Sequence, residues 1–237
     1  MKPLQHRLAV NEESGRRCYP ERTMATTLHY IFDPFCGWCY AAAPLVEAVE
    51  KLPDLAIELH AAGMLSGYRR RPITPQWRQY VLPHDRRIAQ MSGQPFGEAY
   101  FNGLLRDTTA VLDSTPPTIA ILAAQQLSGQ GLKLLRRIQH AHYVEGLRVA
   151  DQSVLQALAE EIGLERAAFA AAYAQSAGQA ADEHLAASRS LLARVGGDGL
   201  PTFVWDRSGE DLVLLDGSAF LGQPRAWAAQ LSELLAR

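Results

Sequence analysis

The hydrophobic and polar positions of residues 28–61 predict a β-α-β unit. Residues 28–32 (LHYIF) are almost continuously apolar and rich in aromatic and β-branched side chains, as in a buried strand. Leu45, Val49 and Leu52 then recur on one face of a helix. Residues 55–61 alternate apolar and polar side chains, which predicts a second, half-buried strand. The short crossover between the two strands favours a parallel pair.

The rest of the chain has a different pattern. From about residue 74 to residue 195 only helical periods occur, separated by Gly, Pro and Asp. Two short apolar runs, 202–205 and 212–215, are then joined by a polar segment whose Gly209 suits a hairpin, and a final helix follows. The order βαβ, helices, ββα predicts an α/β sheet that is interrupted by a helical insertion domain.

These patterns divide the chain into three predicted parts. Residues 1–23 are polar without periodicity and are interpreted as a mobile N-terminal extension, so that either Met1 or Met24 is the true start. Residues 24–65 and 190–237 form the predicted sheet domain, and residues 66–189 form the predicted helical insertion domain.

Composition excludes several classes of protein without assigning a function. Lys and Arg number 23 against 25 Asp and Glu, so the charge of −2 favours neither a nucleic acid nor a membrane as partner. No apolar run approaches the roughly 20 residues of a membrane span, and the N-terminus lacks the hydrophobic stretch of a secretory signal. The expected location is therefore the cytoplasm, where stable structural disulfides are uncommon.

The motif Cys36-Gly37-Trp38-Cys39 is the feature that carries chemistry. It follows a predicted strand and opens a predicted helix, where unpaired backbone N–H groups and the helix dipole favour a thiolate at Cys36. A thiolate is the nucleophile in disulfide exchange, so Cys36 is the predicted attacking residue and Cys39, one turn further on, the resolving residue. The alternative is a pair of plain buried cysteines, which the strand–turn–helix setting disfavours. Pro44 lies inside the apolar-periodic segment and predicts a kinked helix.

We expect no metal and no other cofactor. A structural zinc site needs about four ligands, usually two cysteine pairs, whereas the third cysteine, Cys18, is isolated in the polar extension. No histidine pair has the spacing of zinc ligands, and His140 and His142 point to different faces of a predicted helix.

Two other features are assigned no site. The arginines at 69–71 could attract acidic substrates, but we interpret them as a solvated loop. Trp77, Trp205 and Trp227 fit apolar faces and are interpreted as core residues.

Two segments together resemble the thioredoxin superfamily: DPFCGWCYAAAP, which ends at Pro44, and GLPTF, which precedes the hairpin. The helical block between the two sheet halves is similar to the DsbA family of disulfide oxidoreductases, most closely its FrnE-like, protein-disulfide isomerase branch. The resemblance covers roughly residues 26–237. It implies a thioredoxin-like fold for the sheet domain.

The resemblance also implies roles for individual residues. Cys36 would be the nucleophile, Cys39 the resolving cysteine and Pro201 a cis-proline that faces the Cys36 sulfur. Gly37, Trp38 and Leu200 would line a substrate groove beside them.

The sequence departs from the superfamily pattern at two positions. Thioredoxins carry a buried carboxylate six residues before the nucleophile, where this chain has Tyr30, which is no base near neutral pH. Asp33 is nearer, but beside Pro34 it is interpreted as a turn former. Strongly oxidising members have histidine between the cysteines, where this chain has Trp38, so we expect a reduction potential of about −180 to −270 mV.

The predicted function is that of a thiol–disulfide oxidoreductase or protein-disulfide isomerase. Its partners would be disulfide- or thiol-bearing proteins, or small thiols, together with an unidentified reducing partner. One alternative is a glutathione-dependent enzyme of the kappa-class transferase or hydroxychromene-carboxylate isomerase type, although such enzymes usually lack a complete CxxC. Another is a non-catalytic binding module or chaperone that uses the helical insertion.

Overall fold

The computed structural model describes residues 26–207, 209 and 211–236. Its centre is a four-stranded sheet in the order β2-β1-β5-β6. Strand β1 (Thr26–Phe32) pairs in parallel with β2 (Leu55–Ala61), and β5 (Thr202–Asp206) is antiparallel to both β1 and β6 (Leu212–Leu215). The predicted parallel pair and the predicted hairpin are therefore confirmed, and so is the α/β fold with a helical insertion.

The sheet is covered on both faces. Leu28, Tyr30 and Phe32 of β1 are buried in the main core, which α1 (Gly37–Val49) and α8 (Pro224–Leu235) complete. On the opposite face, Ile31 and Val204 pack against Leu191 of α7 (Gln179–Arg194). Alternate residues of one strand thus enter two cores, because side chains of a strand point to opposite faces in turn.

The insertion is a block of helices between the two halves of the sheet. It contains α2 (Pro75–Ser92), α3 (Thr115–Ser128), α4 (Gly131–Tyr143), α5 (Gln152–Glu161) and α6 (Arg166–Ser176), before α7 returns to the sheet. Their apolar faces belong to the same continuous core as α1 and β1. The insertion therefore packs directly on the unit that carries the cysteines.

A second, very short sheet departs from the prediction that this block holds only helices. Strand β3 (Arg71–Pro72) pairs antiparallel with β4 (Val111–Leu112). Two residues a strand are too few to produce an alternation that sequence reading detects. This pairing holds the arginine-containing segment after β2 against the insertion.

Other predictions have mixed outcomes. Pro44 lies inside α1, as predicted, and the kink itself stays a prediction. The predicted boundary between residues 189 and 190 falls within α7, and the division into domains stays a prediction. The predicted mobile extension, residues 1–23, lies outside the described residues. Within the part of the chain that the structure describes, no helix is long and apolar enough to cross a bilayer.

Candidate active site

Cys36 occupies the N-terminal end of α1. Its backbone is extended (φ −84°, ψ 114°), its N–H donates to the carbonyl of Asp33 at 3.1 Å, and its carbonyl accepts from the N–H of Tyr40 at 3.0 Å. The sulfur therefore lies where the first N–H groups of α1 have no partner within the helix. No acidic side chain stands in the first turn of α1 to oppose a thiolate.

Cys39 lies one turn further along α1 and differs from Cys36 in its surroundings. Cys36 is 6% exposed, whereas Cys39 is fully buried. Burial raises the pKa of the Cys39 thiol well above its usual value, and the neighbouring Cys36 thiol raises it further. The two thiols are unequal: a substrate from solvent meets Cys36 first. This asymmetry supports the predicted roles of nucleophile and resolving cysteine.

The loop before β5 faces the sulfur of Cys36. The peptide bond between Leu200 and Pro201 is cis, as the resemblance implies. The Cys36 thiol lies 3.5 Å from the carbonyl oxygen of Leu200, although the two residues are 164 positions apart in the chain. The structure thus brings the predicted segments together, and the backbone at Leu200 borders the approach to the thiol.

Two cavities flank this meeting point, and Trp38 lines both. The smaller, about 540 Å³, is bounded by residues 196–203, which include the first residues of β5, and by the end of β6; Leu200 and Pro201 line it. The larger, about 990 Å³, reaches from Cys36 and Gly37 towards the insertion. The predicted groove residues therefore divide between two clefts, with Leu200 on one and Gly37 on the other.

The larger cavity has a basic and aromatic wall that the sequence interpretation did not place at the site. Arg69, Arg70 and Arg71 are exposed, as predicted for a solvated loop, yet all three line the cavity that contains Cys36. Trp77 lines the same cavity, and the guanidinium of Arg71 lies 4.9 Å from the centre of its ring. By contrast, Trp205 and Trp227 lie in the core, as predicted.

Asp33 is a buried carboxylate, and its interpretation as a turn former was incomplete. Its oxygens accept hydrogen bonds from the backbone N–H groups of Phe35 at 2.9 Å and Met64 at 2.5 Å. The hydroxyl of Ser114 donates a third, at 2.9 Å. Burial raises the pKa of Asp33 to about 6, against the lowering effect of these donors. Asp33 therefore holds the loop before Cys36 to the segment that follows β2 and to the residue that precedes α3. The hydroxyl of Tyr30 donates to the carbonyl of Cys39 at 3.2 Å.

The insertion directly contacts residues 33–36, the loop that leads to the CxxC motif, through residues that the sequence analysis did not single out. The hydroxyl of Tyr143, at the end of α4, donates to the carbonyl of Phe35 at 2.8 Å. Asp85 of α2 accepts a hydrogen bond from Tyr100 at 2.9 Å, and burial raises the pKa of Asp85 to about 6. No signal in the sequence links these residues to Cys36, because they are distant in the chain and ordinary in type.

Comparison with known proteins places this arrangement among redox folds. The DSBA-like thioredoxin domain family matches residues 27–225. The structure of the cytosolic disulfide reductase DsbM from Pseudomonas aeruginosa is 50% identical, with a TM-score of 0.84, covering 89% of this chain and 98% of that chain. The structure of DsbM with GSH is 48% identical, with a TM-score of 0.82, covering 89% and 100%. No curated protein sequence matches significantly.

Two more distant structures share the fold. A putative protein disulfide isomerase from Nitrosomonas europaea is 24% identical with a TM-score of 0.72, covering 89% of this chain and 98% of that chain. A 2-hydroxychromene-2-carboxylate isomerase is 16% identical with a TM-score of 0.55, at the same coverage.

Proposed function

The chain belongs to the DSBA-like thioredoxin domain family, and from that premise we propose that it is a disulfide reductase with glutathione as its electron donor. The observation that carries the proposal is Cys36, with Cys39 buried one helical turn behind it, on the lining of a cleft that also has an arginine-bearing wall. The 50% identical relative is a cytosolic disulfide reductase whose structure is also known with GSH. Its name supports a cytoplasmic location for this chain as well.

The reducing half of the reaction begins at Cys36. Its thiolate attacks one sulfur of the substrate disulfide, a mixed disulfide forms at Cys36, and the other substrate sulfur leaves as a thiolate that takes a proton. Cys39 then loses its proton, attacks the Cys36 sulfur and releases the second substrate thiol. The substrate gains two electrons, and the enzyme is left with a Cys36–Cys39 disulfide.

Glutathione restores the enzyme in two steps. A glutathione thiolate attacks the sulfur of Cys36, which is the more exposed of the two, and forms a Cys36–glutathione disulfide while Cys39 becomes a thiol. A second glutathione attacks the first at its sulfur, which releases oxidised glutathione and the Cys36 thiolate. The sum is one substrate disulfide and two glutathiones converted to two thiols and one glutathione disulfide.

The charge of the larger cavity suits this donor. Glutathione carries two carboxylates and one ammonium group, and guanidinium groups bind carboxylates through paired hydrogen bonds. Arg69, Arg70 and Arg71 supply three guanidinium groups on the wall of the cavity that contains Cys36. The aromatic ring of Trp77 beside Arg71 adds an apolar surface. We assign glutathione to this cavity, and the substrate disulfide to the cleft along Leu200 and Pro201.

The kappa-class or hydroxychromene-carboxylate isomerase alternative has less support. Likeness to the isomerase at 16% identity shows only a shared fold. The second cysteine, Cys39, has no use in a conjugation or isomerisation that needs one activated thiol. A binding module or chaperone would not need either cysteine.

The proposed activity is tested by supplying glutathione, glutathione reductase and NADPH, and following NADPH oxidation while the enzyme reduces a peptide disulfide. We expect Cys36→Ser to abolish turnover above the uncatalysed rate, and Cys39→Ser to accumulate a mixed disulfide between Cys36 and the peptide substrate that mass spectrometry detects. Cys18→Ser controls for the third cysteine and should retain the wild-type rate. Undiminished turnover in Cys36→Ser would refute the proposal, as would a wild-type enzyme that forms disulfides but cannot reduce them.

A further inference from the structure

A cluster of side chains that can ligate a metal lies on the sheet, away from the cysteines. His29 comes from β1, and Glu58 and His60 come from β2. The register pairs His29 with Glu58 and Ile31 with His60, so all of these side chains point to the face on which α7 packs. The three residues are therefore neighbours although their positions in the sequence show no ligand motif.

The ligand atoms of this cluster converge on one point. Nδ1 of His29 lies 2.9 Å from Nε2 of His60 and 3.3 Å from Oε2 of Glu58, and that carboxylate oxygen lies 3.6 Å from Nε2 of His60. A tetrahedral zinc ion with bonds of about 2.0–2.2 Å holds its ligands about 3.3–3.6 Å apart. The three atoms already form one face of such a tetrahedron within a few tenths of an ångström.

A fourth side chain provides independent support. Oδ2 of Asp206, on β5, lies 3.4 Å from Nε2 of His29, the ring nitrogen that points away from the cluster. Asp206 is itself held by the N–H of Gly209, 2.5 Å from its Oδ1. A carboxylate on the far nitrogen of a histidine places the proton there and directs the lone pair of the other nitrogen towards a metal.

The cluster is also accessible. The side chains of His29 and His60 are 12% and 19% exposed, whereas that of Glu58 is 58% exposed. An ion can therefore enter along Glu58, and water can take the fourth position. His184, on α7, is left out of the proposed ligand set, because its Nε2 accepts the N–H of Ala61 at 3.0 Å and it does not share the convergence of the other three.

We propose that His29, Glu58 and His60 bind one divalent transition-metal ion of the zinc type, with Asp206 orienting His29. Two imidazole nitrogens and one carboxylate oxygen form a ligand set that suits zinc and its neighbours rather than calcium or magnesium. The ion would join β1 to β2 and, through Asp206, to β5. Its expected effect is on the stability of the sheet, separate from the thiol chemistry at Cys36.

The test uses full-length protein in which the thiols cannot bind metal: Cys36 and Cys39 oxidised to a disulfide, and Cys18 alkylated. Calorimetric titration with Zn²⁺ should give one ion per chain, and Zn²⁺ should raise the melting temperature. Asp206→Asn should weaken binding by about 10–100-fold, the usual effect of removing such a partner. His60→Ala should weaken binding at least as much, and His84→Ala, at an exposed histidine outside the cluster, should leave it unchanged.

Glu58→Gln keeps the test valid if the histidine variants fail to fold, because Glu58 is mainly exposed. This variant should retain the wild-type circular dichroism and lose at least 10-fold in Zn²⁺ affinity. With Co²⁺ as the probe, the wild type should show the visible absorption of a tetrahedral nitrogen–oxygen site, and Glu58→Gln should not. Absence of Zn²⁺ binding at 100-fold excess would overturn the proposal, as would equal affinity in wild type and Glu58→Gln.

Discussion

At the scale of single residues, the active-site loop depends on a carboxyl group that is buried at an energetic cost. Asp33 is fully buried beside Cys39, where burial favours its protonated form over its charged form. Its hydrogen bonds to Phe35, Met64 and Ser114 offset part of that cost. The group therefore fixes the geometry of the loop and makes the stability of the protein depend on pH.

The pH dependence has a definite sign. The pKa of Asp33 rises from 3.8 to about 6 on folding, so its contribution to stability is complete below pH 4 and is lost as pH rises through 6. Relative to Asp33→Asn, the wild type should lose about 2 kcal/mol of unfolding free energy between pH 4 and pH 7. Urea unfolding at several pH values measures this difference. Asp198→Asn, at an exposed carboxyl group, is the control, and an equal pH dependence in wild type and Asp33→Asn would contradict the assignment.

At the scale of elements, α1 and α2 make a close contact at the glycine next to the nucleophile. A Cβ on Gly37 would stand 2.7 Å from Cδ1 of Ile88 and 3.3 Å from Oδ1 of Asp85. The middle positions of the CxxC motif therefore have different constraints. Gly37 lets α2 approach the redox helix, whereas Trp38 lines both clefts.

Gly37→Ala should destabilise the protein by about 1–3 kcal/mol, because the added methyl group overpacks this contact. Ile88→Val removes the methyl group that it would meet, so the double variant should recover part of that loss, a coupling that denaturant unfolding detects as non-additivity. Gly199→Ala is the matched control, since a Cβ there meets no heavy atom within 4 Å. Strict additivity between the changes at 37 and 88 would show that this contact does not limit the site.

At the scale of the whole molecule, the helical insertion lines the larger cavity and also contacts the loop of residues 33–36 that leads to the nucleophile. The hydroxyl of Tyr143 reaches the carbonyl of Phe35, immediately before Cys36. The rings of Tyr40 and Tyr143 stack with centroids 4.8 Å apart, which joins α1 to α4. A conformational change in the insertion would therefore alter the position of the backbone next to Cys36.

Tyr143→Phe should lower the unfolding free energy by about 1–3 kcal/mol, because it leaves the buried carbonyl of Phe35 without its donor. It should also slow disulfide exchange at Cys36, since the loop loses one of its restraints. Denaturant unfolding and the glutathione-coupled assay measure the two effects. Tyr173→Phe, at a half-buried tyrosine of α6, is the control and should change neither. A slower exchange without loss of stability would mean that the hydroxyl acts on the chemistry rather than on the loop.

The sequence by itself determined those features that are encoded within one element or one turn. The apolar run of β1, the alternation in β2, the helical period of α1 and the hairpin of β5 and β6 were predictable because each depends on a pattern along a few residues. The roles proposed for Cys36 and Cys39 likewise depend on one helical turn. The cis bond before Pro201 followed from the resemblance rather than from spacing.

Only the tertiary structure decided which distant residues surround the thiols. Arg71 reaches the cavity because a two-residue pairing holds its segment there, and Asp33 becomes a buried anchor because Ser114 arrives 81 positions later in the chain. His29 and His60 meet because the register of two strands aligns them. Such contacts arise from the packing of whole elements, which short-range sequence patterns do not encode, so their chemistry becomes visible only in the folded chain.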